Sequence, residues 1–209
     1  MNELYIAGKF KRLGLSNFSP EQVREAYDTS KAKGWVLPTV FQGNYNPVSR
    51  HVETRLFPLL RELGIRFWAY SAIAGGFLSK TADQIAAGGE GRWDPETMVG
   101  GLYHRLYNRP ALIEGLREWG LIARDTGLSG TELAFRYMRY HSFLKGEYGD
   151  GIIVGASKPS QLEQSLEYLE KGPLPQSTVD RIEKVWEMVK DEAPYDNAEE
   201  FGKDLPKPE

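Results

Sequence analysis

Short apolar segments alternate with longer amphipathic segments along this sequence, and this alternation constrains the fold more than any other feature. Four strand-length apolar segments cover residues 12–18, 38–44, 65–71 and 151–155, and each leads toward a stretch with helical periodicity. Such a pattern is typical of α/β proteins in which helices connect the strands of a parallel sheet. We predict one α/β domain over residues 1–190, followed by an acidic, partly disordered tail over residues 191–209.

The helices carry their own start and stop signals. Ser19, Pro20 and Gln22 form a helix start with a capping box, and Gly34 is placed to end that helix. The next helix is predicted over residues 52–63. Further helices are predicted near residues 110–126, 130–141, 159–170 and 177–191.

Residues 80–108 interrupt this regular pattern. The stretch is polar, contains five glycines and is predicted to be irregular. A connection of this length within a domain is usually functional or mobile.

Composition excludes several classes of function. The 26 Lys and Arg residues against 29 Asp and Glu residues give a net charge of −3, so we expect neither nucleic acid nor a membrane surface as a partner. The absence of cysteine excludes disulfides and thiolate metal sites. The three histidines lack metal-ligand spacing, and His141, at a predicted helix end, is expected to be an imidazolium. The beginning of the chain has no secretory pattern, which predicts a cytoplasmic location.

Four motifs together resemble the carboxy-terminal portion of aldo-keto reductases, closest to the aflatoxin-aldehyde-reductase-like branch. They read GKFKRLGLSNFSPEQV, FQGNYNPVSR, WAYSAIAGGFLSK and GIIVGASKPSQLEQSLEYLEKGPLP, and they occur in the family's order. Each follows a predicted strand, and the likeness extends over residues 3–187. The resemblance implies an eight-stranded (β/α) barrel that binds NADPH without a glycine-rich dinucleotide fold, and the branch suggests secondary metabolism.

The resemblance covers only part of that barrel. A (β/α) barrel typically takes about 250 residues, whereas this chain of 209 residues matches the units of the fifth to eighth strands. No position matches the family's catalytic Asp, Tyr, Lys and His. The expected fold is therefore a partial TIM barrel with a carboxy-terminal helix. The expected truncation removes the amino-terminal units that hold the family's catalytic residues.

The resemblance implies that Ser16, Asn17 and Gln42 hydrogen-bond the nicotinamide carboxamide, which needs both a donor and an acceptor. The alternative for Ser16 and Asn17 is a simple turn and cap. Tyr70 matches the aromatic residue that stacks on the nicotinamide ring, and its alternative is an apolar residue in a barrel mouth.

The remaining implied cofactor residues follow the third and fourth strands. The loop over residues 71–80 matches a segment that folds over the pyrophosphate, although Ala72-Ile73 replaces the usual Pro-Leu and a glycine before Lys80 is missing. A strand leading into a helix start also forms a phosphate cradle at residues 155–158. By resemblance the cofactor contacts here are Ser71, Ile73, Gly75, Lys80, Arg92, Gly155, Ser157, Lys158, Gln161, Gln164 and Ser165, the last standing where Asn is common.

Two functions remain open. The first is an NADPH-dependent reductase of an aldehyde or ketone, or the reverse aryl-alcohol oxidation, impaired here because the proton-donating tyrosine is missing. Tyr45 could replace that tyrosine only if a neighbouring lysine lowered its pKa, and no such lysine is evident.

The second function is a non-catalytic, cofactor-binding or structural half-barrel. Its strand edges at residues 13–15 and 152–154 would invite pairing with a second copy, so a homodimer is expected, with aggregation or degradation as the rival outcome.

Overall fold

Four parallel strands form a single sheet in the order β1-β2-β3-β4 in a computed structural model that describes residues 1–88 and 91–196. The strands are β1 (Leu13–Ser16), β2 (Pro38–Asn44), β3 (Arg66–Tyr70) and β4 (Gly151–Ile152). The predicted α/β class and all four strands are confirmed, although three of the strands are shorter than the apolar segments that announced them.

Helices connect these strands and follow the last one. All six predicted helices are present, with ends that agree to within two residues. In chain order the helices are α1 (Asn2–Ile6), α2 (Pro20–Ala32), α3 (Val52–Leu63), α4 (Ala82–Ala86), α5 (Met98–Tyr107), α6 (Pro110–Thr126), α7 (Gly130–Tyr140), α8 (Pro159–Glu170) and α9 (Gln176–Val189).

The capping box predicted for α2 is present with both of its hydrogen bonds. The backbone N–H of Gln22 donates to Ser19 Oγ at 3.2 Å, and the Ser19 N–H donates to Gln22 Oε1 at 2.8 Å. Pro20 is the first residue of the helix, and Gly34 follows its end with a φ of 63°. These local signals are therefore sufficient to place α2.

The prediction of an irregular stretch over residues 80–108 is wrong in two places, because α4 covers five of these residues and α5 extends for ten. Gly100 and Gly101 have low helix propensity. Burial of Leu102, Leu106 and Tyr107 in the core stabilises the helix in spite of them. In α5, tertiary packing has therefore overridden the local preference of the two glycines. Residues 89 and 90 of the same stretch lie outside the described residues.

One face of the sheet packs against the helices. Phe41 and Phe67 stack with ring centroids 5.9 Å apart, and Phe67 contacts Phe57 of α3 at 4.7 Å. Alternation along a strand sends the intervening side chains to the other face. We call this second face the open face; its residues are Gly14, Ser16, Val40, Gln42 and Trp68.

The open face differs from what the near-continuous apolar run over residues 65–71 indicates, because such runs are typical of strands covered on both faces. Within the described residues Gly14 and Gln42 are exposed, and Trp68 is partly exposed. The apolar run was therefore a misleading sign, because the Trp68 side chain is partly exposed on this face.

None of the helices that the structure describes combines the length and the apolar character that crossing a membrane requires. Residues 197–209, which make up most of the predicted tail, lie outside the described part of the chain.

Candidate functional site

The carboxyl ends of the strands bring the predicted nicotinamide-binding residues to one edge of the sheet, which we call the carboxyl edge. Ser16, the last residue of β1, lies opposite Gln42 in the parallel register. Asn44, at the end of β2, lies opposite Tyr70, at the end of β3. Ligands of parallel α/β sheets bind at this edge.

Backbone strain is concentrated at the carboxyl edge. Among residues 1–88 and 91–196, the non-glycine residues with positive φ are Asn17 (59°), Ser71 (57°) and Ala74 (52°). Asn17 directly follows β1, and Ser71 directly follows β3. Such strained conformations cost roughly 1–3 kcal/mol each and cluster at functional sites.

A cavity of about 330 Å³ lies on the open face below this edge. Its volume is at the lower end of the range typical of small-molecule sites. The side chain of Gln42 is exposed in this cavity, so its amide is accessible as both donor and acceptor. The lining residues are Arg12, Gly14, Leu15, Ser16, Val40, Gln42 and Trp68.

The loop after β3 makes two contacts that sequence reasoning missed, one with α5 and one with the 3-10 turn at Gly91–Trp93. Gly75 has a φ of 64°, and a Cβ added there would lie 1.8 Å from Cε1 of Tyr103. The indole N–H of Trp93 donates to the Gly75 carbonyl at 3.1 Å. Arg92, the residue before Trp93 in that short 3-10 turn, is exposed.

The rest of that loop is also well anchored. Ser71 and Ile73 are partly buried, and Ile73 packs against the core. The hydroxyl of Ser79, the residue before Lys80, donates to the Gly76 carbonyl at 2.7 Å. The N–H of Lys80 donates to the Phe77 carbonyl at 3.1 Å, which closes the turn.

The segment between β4 and α8 presents the predicted phosphate-binding residues to solvent. Gly155, Ser157 and Lys158 are exposed. The Ser157 N–H and hydroxyl both donate to Gln161 Oε1, at 3.2 and 2.9 Å. Lys158 is the N-cap of the twelve-residue helix α8. The structure thus brings Ser157 and Gln161 together at a helix N-terminus.

The two other predicted cofactor contacts on α8 differ in their exposure to solvent. Gln164 is exposed, as a cofactor contact requires. Ser165 is 7% exposed, and its hydroxyl donates to the Gln161 carbonyl at 2.7 Å. Ser165 therefore faces the protein in this structure.

Tyr45 is excluded as a substitute proton donor by its surroundings. The side chain is fully buried, and its hydroxyl donates to Glu53 Oε1 at 2.5 Å and accepts from the Phe143 N–H at 3.0 Å. Burial, followed by the charge of Glu53, raises the pKa of Tyr45 well above its usual value. Its role is structural.

A buried polar network behind the carboxyl edge was also missed by sequence reasoning. Asn44 Nδ2 donates to Ser49 Oγ at 2.8 Å, and that hydroxyl donates to the Pro194 carbonyl at 2.6 Å. Arg50 bridges Glu53 and Glu183, with N–O distances of 2.9 and 2.7 Å. These bonds tie the end of β2 to α9 and the segment after it.

The prediction that His141 is an imidazolium is wrong. The Nε2 atom of His141 accepts a hydrogen bond from the Leu174 N–H at 2.8 Å, which requires the neutral ring at that nitrogen. Burial, followed by the charge of Arg136, lowers the pKa of His141 below its ordinary value.

The fold and the carboxyl-edge geometry define a class of protein, and comparison with known proteins identifies it. The model of the aldo/keto reductase family matches residues 1–187. The chain belongs to the aldo/keto reductase family.

Named relatives agree with this assignment. The chain is 42% identical to oxidoreductase sirO of Leptosphaeria maculans over 93% of its own length. It is 40% identical to human aldo-keto reductase family 7 member A3 over 92% of its length, and 39% identical to human aflatoxin B1 aldehyde reductase member 2 over 91%. The chain spans 59%, 60% and 55% of the lengths of these three relatives, respectively.

Proposed function

We propose that the carboxyl edge of this chain holds NADPH and that its four strands form part of a (β/α)8 barrel acting in the cytoplasm as a carbonyl reductase or aryl-alcohol dehydrogenase. The observation that carries the proposal is the pairing of Ser16 with Gln42 in register, beside a cavity and the strained Asn17. Two hydrogen-bonding side chains on neighbouring strands suit a planar amide.

Each group of residues has a distinct role in this proposal. Ser16, Asn17 and Gln42 supply the donors and acceptors that the nicotinamide carboxamide needs. Tyr70, opposite Asn44 in the register, is placed to stack on the ring and select the face from which hydride leaves. When bound, NADPH supplies the hydride that converts an aldehyde or ketone to an alcohol.

The phosphates of the cofactor would be held by the β3–α4 loop and the start of α8. The N-terminus of α8 has the positive end of the helix dipole, and the exposed Lys158 adds a full charge. Arg92, the exposed neighbour of Trp93, adds a second cation on the loop side. The adenosine 2′-phosphate is assigned to Ser157 and Lys158.

Proton transfer to the substrate is the step that the described residues support least. The buried Tyr45 has a raised pKa and no access to the cavity, so it cannot protonate a substrate. Loss of a general acid typically reduces the rate by about 10²–10⁴-fold. We propose cofactor binding with slow turnover, and an aldehyde substrate class because relatives such as human aflatoxin B1 aldehyde reductase member 2 are named aldehyde reductases.

A titration of the chain with NADPH, followed by cofactor fluorescence, tests this proposal. We expect saturable binding that weakens by about tenfold in Lys158→Met, because a charged hydrogen-bond donor is lost. Lys184→Met, at an exposed position on α9, is the matched control and should bind as the wild type does. Absence of saturable binding, or equal loss in both variants, contradicts the proposal.

A structural half-barrel that dimerises is a second candidate, and the open face is the observation that favours it. Gly14 and Gln42 are exposed there, and Ile153 beyond β4 is 39% exposed. Pairing the β4 edge of each copy with the β1 edge of the other would close eight parallel strands about a two-fold axis. Light scattering after size exclusion should then show a concentration-independent dimer; a monomer excludes this function.

A further inference from the structure

A second cavity, of about 510 Å³, opens at the other end of the sheet, and we call it the amino-end cavity. It is the larger of the two cavities described here. Its lining residues come from α1, from the approach to β1, from the α2–β2 connection and from the strand starts. They are Asn2, Tyr5, Ile6, Lys11, Arg12, Leu13, Gly34, Trp35, Val36, Leu37, Thr39 and Arg66.

The amino-end cavity lies at the opposite end of the strands from the carboxyl edge, although Arg12 lines both this cavity and the one on the open face. Thr39 is the second residue of β2 and Arg66 the first of β3, so both mark the starts of their strands. Thr39 and Asn44 are separated by about 16 Å, at the rise of a parallel strand. A small ligand in this cavity would therefore not touch the residues assigned to the nicotinamide.

The charged side chains that line the amino-end cavity are all positive. Lys11, Arg12 and Arg66 line it, and none of its lining residues in the described part of the chain is Asp or Glu. Most other arginines pair with carboxylates, for example Arg24 with Glu62 at 2.6 Å. These three cations form no ion pair within residues 1–88 and 91–196. Such a concentration of positive charge is unusual in a protein with a net charge of −3.

The position of Arg66 is fixed by its neighbours. A Cβ added to Gly149, where φ is 77°, would lie 2.7 Å from Nε of Arg66, so the glycine leaves room for the arginine. The adjacent carboxylate, Asp150, is already engaged. It accepts from Arg61 at 2.5 Å and from the Phe67 N–H at 2.8 Å. The guanidinium of Arg66 thus remains available for an external anion.

Apolar side chains form the rest of the wall and are unusually exposed. Tyr5, Ile6 and Trp35 are 41%, 76% and 43% exposed. Lys33 places its ammonium 4.5 Å from the centroid of the Trp35 ring. A cation next to an exposed aromatic ring favours a ligand that has both a flat apolar body and a negative charge.

We propose that the amino-end cavity is a binding site for a small aromatic carboxylate. The carboxylate is held by Arg12 and Arg66, and the aromatic body packs against Trp35 and Tyr5. Arginine suits a carboxylate because its guanidinium can donate two parallel hydrogen bonds. The concave shape and the volume of about 510 Å³ fit a small molecule better than a polypeptide segment.

Ligand-observed NMR on the complete 209-residue chain tests the proposal, with naphthoate as the probe and the uncharged naphthamide as its matched control. We expect saturable naphthoate binding with a Kd of about 1 mM or tighter. Naphthamide should bind at least about tenfold more weakly, because the charged hydrogen bonds are lost. Affinity should fall as salt rises.

Variants of the two lining arginines test whether naphthoate binds in the amino-end cavity. Arg66→Met should weaken naphthoate binding by about tenfold, and Arg66→Lys should retain part of the affinity. Arg12→Met, at an exposed position, gives an independent loss if Arg66→Met proves unstable by circular dichroism. Arg117→Met, on the exposed surface of α6, should bind as the wild type does.

Three results would overturn the proposal: no saturable naphthoate binding, equal affinity for naphthoate and naphthamide, or affinity that is unchanged in both Arg66→Met and Arg12→Met. Loss of binding in Lys158→Met would equally overturn it, because that result would assign the probe to the proposed phosphate site. Arg66 lines only the amino-end cavity, so Arg66→Met should leave NADPH affinity unchanged, which separates this outcome from that at the carboxyl edge.

Discussion

Removal of the Tyr45 hydroxyl should destabilise the protein without altering its surface. In Tyr45→Phe the ring keeps its edge-on contacts with Phe57 and Phe67, at centroid distances of 5.4 and 6.0 Å. What is lost is the hydrogen bond to Glu53 at 2.5 Å and the acceptor for the Phe143 N–H at 3.0 Å. The change therefore isolates one buried polar group.

The expected magnitude follows from these two bonds. A hydrogen bond to a charged group is worth about 1.5–3 kcal/mol, and a buried donor left unpaired costs about 1–3 kcal/mol. Glu53 keeps its bonds to Arg50 at 2.9 and 3.1 Å, and Phe143 is 48% exposed, so both losses are partly compensated. We expect a loss of about 2–4 kcal/mol in the free energy of unfolding.

Urea unfolding followed by circular dichroism measures this loss. At about 2–4 °C per kcal/mol for a chain of this size, the Tm should fall by roughly 4–16 °C. Tyr148→Phe is the matched control, because Tyr148 is 52% exposed and Phe can keep the contact of its ring with Arg61. A change in Tyr45→Phe as small as that of the control would refute the structural role assigned to the hydroxyl.

Two further perturbations test the loop after β3 and the state of His141. Gly75→Ala should cost at least about 1–2 kcal/mol from its left-handed φ alone, and the clash with Tyr103 should weaken NADPH binding as well. In a double-mutant cycle followed by thermal melts, Gly75→Ala should cost less in a Tyr103→Ala background than in the wild type; an equal cost in both would contradict the clash. Because folding lowers the pKa of His141, the unfolded chain binds more protons below the ordinary value of about 6.5. Stability should therefore fall as the pH drops below that value, and His141→Gln should flatten this dependence in urea titrations; an unchanged slope would contradict the assignment.

Local signals in the sequence were sufficient for most of the architecture. The limits of α3 and α6 agree with the prediction, because Gly64 and Gly127 follow the last helical residues and Pro110 opens α6. The predicted β2 also agrees with the structure over residues 38–44. Helix caps and apolar runs are properties of neighbouring residues, so a single sequence contains them.

Features that depend on distant residues were not predictable. The helix α5 exists because Tyr107 and its neighbours are buried against Phe77, with ring centroids 5.4 Å apart, and nothing local announces this contact. The same holds for the bond between Ser49 and Pro194, which lie 145 residues apart in the chain. The amino-end cavity likewise depends on which strands begin side by side.

The candidate site was predictable in part. Resemblance placed Ser16 and Gln42 together, and the register pairs them. Resemblance did not indicate that Ser165 would be buried with its hydroxyl bonded to the Gln161 carbonyl. A motif identifies residue types and order, whereas the direction of a side chain depends on the packing of its helix.

Energy transfer from tryptophan to bound NADPH tests the central claim, that the cofactor occupies the carboxyl edge, most directly. Trp68 lies opposite Gln42 on the open face, whereas Trp35 lines the amino-end cavity. Trp68→Phe should lower the transfer more than Trp35→Phe does, with little change in NADPH affinity in either variant. The opposite pattern, with transfer lost in Trp35→Phe and kept in Trp68→Phe, would contradict the claim.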